Sequence, residues 1–67
     1  MKYMKIKMTM PFKKHCRECT EYIKRKYNTI ERIICYKGTK EFFEIVFKNG
    51  KNKFIKAYTL WQFEQCI

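Results

Sequence analysis

The chain contains no aspartate and no serine, one histidine, one proline and two glycines among its 67 residues. Without Ser and Asp a Ser-His-Asp triad cannot be assembled, and two isolated glycines make neither a phosphate-cradling loop nor a dinucleotide fingerprint. Scarce Gly and Pro, beside 46% hydrophobic content, also set the sequence apart from linkers and from chains too polar to collapse. No apolar run approaches the ~18 residues of a membrane-spanning helix, and the Met-Lys start lacks the apolar segment of an export signal. The expectation is an intracellular, cytoplasmic protein with reduced thiols, no membrane partner, no cofactor and no enzymatic activity.

Six Phe, five Tyr and one Trp supply large buried areas to a chain that, at this length, forms one domain, residues 1–67, and buries only ~60% of its unfolded surface. Sixteen Lys and Arg against six Glu leave a net charge of +10. The excess is uneven: the first fourteen residues hold five Lys and no acid, whereas residues 41–67 hold four Lys against three Glu. Such a balance favours polyanionic partners, nucleic acid first among them. Phe, Tyr, Ile, Asn and Lys make up 35 of the 67 residues, the set that AT-rich codons encode, so codon bias is a second source of lysine.

From Tyr3 to Met10 apolar and polar side chains alternate, which predicts a half-buried strand. Pro11 suits the first turn of a helix, and Phe12, Cys16, Cys19, Ile23 and Tyr27 then fall on one apolar stripe, with Lys13, Lys14, Arg17, Lys24 and Arg25 opposite. Ile30 to Lys37 reads as a second strand. Glu41–Lys48 and Asn52–Tyr58 flank Asn49-Gly50, a hairpin signal. Its register stays open: a two-residue loop pairs Ile45 with Phe54, and a three-residue loop shifts the pairing by one and exchanges the faces. In the second case Phe43, Ile45, Phe47, Ile55 and Ala57 share one face, leaving Phe42, Glu44, Val46, Lys48, Phe54, Lys56 and Tyr58 on the other. Thr59 with Gln62 three residues on is a capping-box pattern opening a last helix, with Leu60, Phe63 and Ile67 on one side. The predicted class is α+β, in the order β-α-β-β-β-α, with a small antiparallel sheet and two helices packed on one face.

His15-Cys16-Arg17-Glu18-Cys19 contains a C-x-x-C, and Cys35 and Cys66 bring the thiols to four. Zinc would accept four thiolates, but Cys35 and Cys66 are isolated in the sequence and the first pair lies on the apolar stripe, where Cys packs as a small hydrophobe; no metal site is predicted. A strand followed by a helical C-x-x-C also resembles thioredoxin. The departures are an absent cis-proline strand and a Cys16 placed some five residues beyond Pro11, out of reach of a helix N-terminus that would lower its pKa.

The candidate site is the basic and aromatic interleaving of the hairpin, Lys48, Lys51, Lys53, Phe54, Lys56 and Tyr58, joined by Lys13, Arg17 and Lys24 of the first helix. Lysines attract phosphates and exposed rings stack on bases. From Pro11 onward the order helix, three strands, helix is similar in length and topology to the double-stranded-RNA-binding domain. That family's Lys-Lys pair at the start of its last helix is replaced here by Ala57-Tyr58-Thr59-Leu60-Trp61, so its phosphate contacts do not carry over. The three strands and terminal helix also resemble small sheet-type DNA readers such as integrase arm-binding domains. The expected function is a non-catalytic DNA- or RNA-binding module. Two alternatives are a small inhibitor or adaptor docking on an acidic or nucleic-acid-handling protein, with a homodimer as a related case, and a zinc or thiol protein using Cys16 and Cys19.

Overall fold

A computed structural model describes residues 6–38 and 41–67. Helix α1 (Cys16–Lys26) leads into strands β1 (Ile30–Cys35), β2 (Phe42–Phe47) and β3 (Asn52–Lys56), and helix α2 (Leu60–Gln65) closes the chain. The strands form one antiparallel sheet in the order β1-β2-β3. Both helices pack on one side of it around Phe12, Cys19, Ile23, Ile30, Phe43, Ile45, Ile55, Ala57, Leu60 and Phe63. Phe12 anchors this core, stacked on Phe63 at 4.2 Å and tilted against Phe43 at 4.6 Å. Ring pairs in these geometries add stabilisation beyond the area they bury.

The hairpin takes the three-residue loop. Gly50 N–H donates to Phe47 O (3.0 Å) and Phe47 N–H to Lys51 O (2.8 Å), with Gly50 at φ 90°. This is a turn closed by a left-handed residue, a conformation that Gly reaches without the clash of a Cβ. The register that follows pairs Phe43 with Ile55, Glu44 with Phe54 and Ile45 with Lys53. Phe43, Ile45 and Ile55 therefore face the helices, and Phe42, Glu44, Val46, Phe54 and Lys56 face away. In β1 a bulge at Glu31, between the pairs Ile30–Phe47 and Arg32–Val46, sends Ile30 into the core and Arg32 to the opposite face, although residues two apart in a regular strand share a side.

Of the N-terminal strand expected over Tyr3–Met10, the described part, Ile6–Met10, is not a strand of the sheet. Residues 3–5 lie outside the described residues, and from Ile6 to Met10 the chain forms a turn, closed by Met10 N–H on Lys7 O at 3.1 Å. The alternation in burial does persist: Ile6, Met8 and Met10 are half-buried against the core, and Lys7 and Thr9 are exposed. What differs is the backbone partner. Met8 O and Met10 O accept the N–H groups of Trp61 (2.8 Å) and Leu60 (3.0 Å), and Phe12 N–H donates to Tyr58 O (2.8 Å). Gln62 N–H goes to Thr59 Oγ1 and Thr59 N–H goes to Gln62 Oε1 (3.3 Å), completing the capping box. All four N–H groups that a helix N-terminus leaves unpaired are thus satisfied in α2. A six-residue helix holds its place through these bonds and through buried Leu60 and Phe63, since propensity alone would not sustain it.

Helix α1 begins at Cys16, later than Pro11 suggests. The intervening residues form a turn in which His15 N–H reaches Pro11 O and Phe12 O, and His15 occupies the N-cap position without a side-chain cap. At the other end Lys24, Arg25 and Lys26 complement the helix dipole. Glu64 of α2 ties the helices together, pairing with Lys26 and accepting the Tyr27 hydroxyl at 2.7 Å. Lys26, then Tyr27, hold the Glu64 carboxyl below the usual carboxylate range.

Candidate functional site

The sheet side opposite the helices carries a small grid of side chains set by the register. Arg32, Val46 and Asn52 form one row; Ile34, Glu44 and Phe54 the next; Phe42 and Lys56 the third, extended by Tyr36, whose N–H donates to Phe42 O at 3.3 Å. Phe42 and Phe54, diagonal neighbours, stack with centroids 5.7 Å apart and planes 15° from parallel. Tyr36 leans on both, at 5.7 and 6.3 Å. No described element lies over this cluster, and Phe54 is 55% exposed.

Glu44 sits at the centre of the grid. Its Oε1 accepts the Tyr36 hydroxyl at 2.5 Å and its Oε2 accepts Asn52 Nδ2 at 2.6 Å. The Tyr36 bond first, then Asn52, lower the Glu44 pKa, and the same bond raises that of Tyr36. The carboxylate thereby fixes the Tyr36 ring and holds its own charge at neutral pH.

The basic and aromatic residues proposed from the sequence divide between two surfaces. Phe54 and Lys56 lie on the open face, and Tyr58, 53% exposed, follows the end of β3. Lys48 and Lys51 are exposed at the hairpin tip. Lys53 pairs with Ile45, so the register turns it toward the helix side, away from Phe54. Arg17 and Lys24 line a shallow depression on α1 with Thr20 and Glu21, and the sheet and core separate them from the aromatic face. Lys13 is half-buried and donates from Nζ to Tyr36 O at 2.9 Å, a bond that ties the turn before α1 to the end of β1.

Two aromatic residues absent from the sequence-derived site belong to this surface, Tyr36 and Phe42 on the grid; a third, Trp61, 54% exposed on α2, lies beyond the end of β3 in a groove shared with Lys56 and Tyr58. Phe42 was recoverable from the alternation of β2 once the register was known. Trp61 was marked only by its place beside the stripe of Leu60 and Phe63.

Cys19 packs in the core, as its place on the apolar stripe implies, whereas the position of Cys16 differs from the sequence reading. Cys16 is the first residue of α1, so the C-x-x-C does open the helix. Cys19, however, is fully buried, and burial above all pushes its thiol up to about 11, which leaves it protonated and a weak nucleophile at neutral pH. Burial also raises the Cys35 thiol, beside Cys16. Among the described residues no three His, Cys, Asp or Glu side chains are placed to hold a metal ion, and no helix is long and apolar enough to cross a membrane.

Comparison with protein-family models, curated proteins and solved structures finds no match to this chain. The functional reading therefore rests on the surface itself.

Proposed function

We propose that the protein is a non-catalytic nucleic-acid-binding module whose contact surface is the open face of the sheet. The observation that carries this reading is the stacked Phe42–Phe54 pair, buttressed by Tyr36 and left uncovered by the described elements, in a chain of net charge +10. Exposed rings on a sheet offer bases a stacking platform, and the surplus of cations meets the phosphates. Lys56, directly across from Phe42, is the cation nearest the platform in the register, with Arg32 at the opposite corner. Stacking requires bases whose faces are open, so unpaired strands are the preferred ligand.

The test is a fluorescence-anisotropy titration with matched single-stranded and double-stranded DNA and RNA at two salt concentrations. Binding of a single strand should weaken with salt at a log–log slope of about −0.7 per phosphate neutralised. Lys56→Glu and Phe54→Ala should each reduce it without unfolding the domain, because both side chains are exposed. Unchanged affinity in both variants refutes the face assignment. The second reading, docking on an acidic protein, draws on Ile34 and Val46, half-exposed aliphatic neighbours of Glu44. It is favoured if no nucleic acid binds at the higher salt.

A further inference from the structure

Beyond the end of β3 the surface continues into an open groove of about 530 Å³, lined by Glu41, Lys56, Tyr58, Trp61, Gln62 and Gln65, with Ala57 and Cys66 at its base. Resting on the nucleic-acid reading, we infer that this groove is a second subsite, which takes one unpaired nucleotide of a strand already stacked on Phe54. Trp61 and Tyr58 supply rings for the base, Gln65 supplies an exposed amide for its edge, and Lys56, shared with the sheet face, meets the linking phosphate.

Three observations converge on this assignment. Phe54, Tyr58 and Trp61 are the large hydrophobic residues most exposed among those described, at 53–55%, and Lys56, two residues from both Phe54 and Tyr58, lines the groove with Tyr58 and Trp61. The Trp61 ring is not among the side chains packed on the core, where Leu60 and Phe63 bury the apolar side of α2. The groove is also not an anion site made by a helix end: the first N–H groups of α2 are spent on Met8 O, Met10 O and Thr59. Phosphate recognition therefore falls to Lys56, while Glu41 repels phosphate from its own side of the groove.

The rings also select the form of nucleic acid. β3 ends at Lys56 and the chain bends at Tyr58 before α2, so Phe54 and the groove are separate platforms with Lys56 between them. A ring stacks only on a base whose face is open, and paired bases within a duplex cover one another's faces.

Trp61 is the single tryptophan of the chain, so its emission reports on the groove alone. The experiment titrates the full chain with an oligothymidylate of roughly a dozen nucleotides, following anisotropy on a labelled strand and Trp61 emission on an unlabelled one. The expected result is quenching of Trp61 with the same midpoint as the anisotropy change. Trp61→Ala should weaken binding roughly tenfold with an unchanged circular-dichroism spectrum, and Trp61→Phe should restore most of that loss. Binding that leaves Trp61 emission unaltered, or that Trp61→Ala does not weaken, overturns the subsite and leaves the sheet-face reading standing. Absence of binding at physiological salt overturns both, and equal affinity for a matched duplex overturns the assignment to an unpaired strand.

Discussion

Glu44 places a negative charge beneath an aromatic platform proposed to meet a polyanion. Its two hydrogen bonds explain its presence: it orders Tyr36, and through it the ring cluster. The charge itself opposes phosphate. Glu44→Gln keeps an acceptor for Tyr36 and removes the charge, so it should tighten nucleic-acid binding several-fold at low salt and less at high salt, where screening shortens the reach of the carboxylate; unchanged affinity at low salt would place the strand elsewhere. A second outcome at this scale concerns Cys19. Buried, with a thiol pushed up to about 11, it should resist alkylation in the native protein and react only on unfolding, as peptide mapping after brief iodoacetamide treatment would reveal. Thr59 offers a third. It closes the capping box of α2, and Thr59→Ala should cost about 1 kcal/mol, read as a lower melting temperature.

At the scale of elements, some signals were legible and others were not, for physical reasons. The hairpin and the capping box are local: Asn49-Gly50 and Thr59-Gln62 specify backbone geometry within a few residues, and both form as read. The register was not local, because Asn-Gly serves a two-residue turn as readily as a longer loop with Gly left-handed; the choice rests on burying Phe43, Ile45 and Ile55 together. The N-terminal segment shows the limit of periodicity. Ile6, Met8 and Met10 turn inward as the alternation requires, yet alternation cannot say whether the partner is a strand or, as here, the start of a helix. The bulge at Glu31 was equally unreadable, since alternation over Ile30–Cys35 gives each side one charged and two apolar residues, Ile30, Arg32 and Ile34 against Glu31, Ile33 and Cys35. Tyr36 and Phe42 joined the candidate site only when the sheet brought them together across a chain reversal. Gly50 gives the element-scale prediction: at φ 90° with open space around its Cα, Gly50→Ala should cost roughly 1–2 kcal/mol through backbone strain alone, measured by thermal unfolding.

For the molecule as a whole, Glu64 links the two helices, and its depressed pKa sets the sign of an acid response. A carboxylate with a folded pKa below its unfolded value stabilises above the unfolded pKa of about 4.3, and that contribution is lost as pH falls through the folded value. Lys26, raised mainly by the same Glu64, contributes below its unfolded pKa and loses that contribution as pH rises through the folded one. Stability should therefore be level near neutrality, and Glu64→Gln should flatten the acid limb of a denaturation series, the melting temperature falling less between neutral pH and about pH 3 than in the parent. The bonds from Met8 O and Met10 O to α2 carry a consequence of another kind. They make the beginning of the chain a clasp on its end, so the exchange rates of the Leu60 and Trp61 amides with deuterium become a gauge of whether residues 7–12 are docked. Anything that pries that segment loose, a protease or a bulky fusion among them, would act at a distance of fifty residues in sequence on the orientation of Trp61.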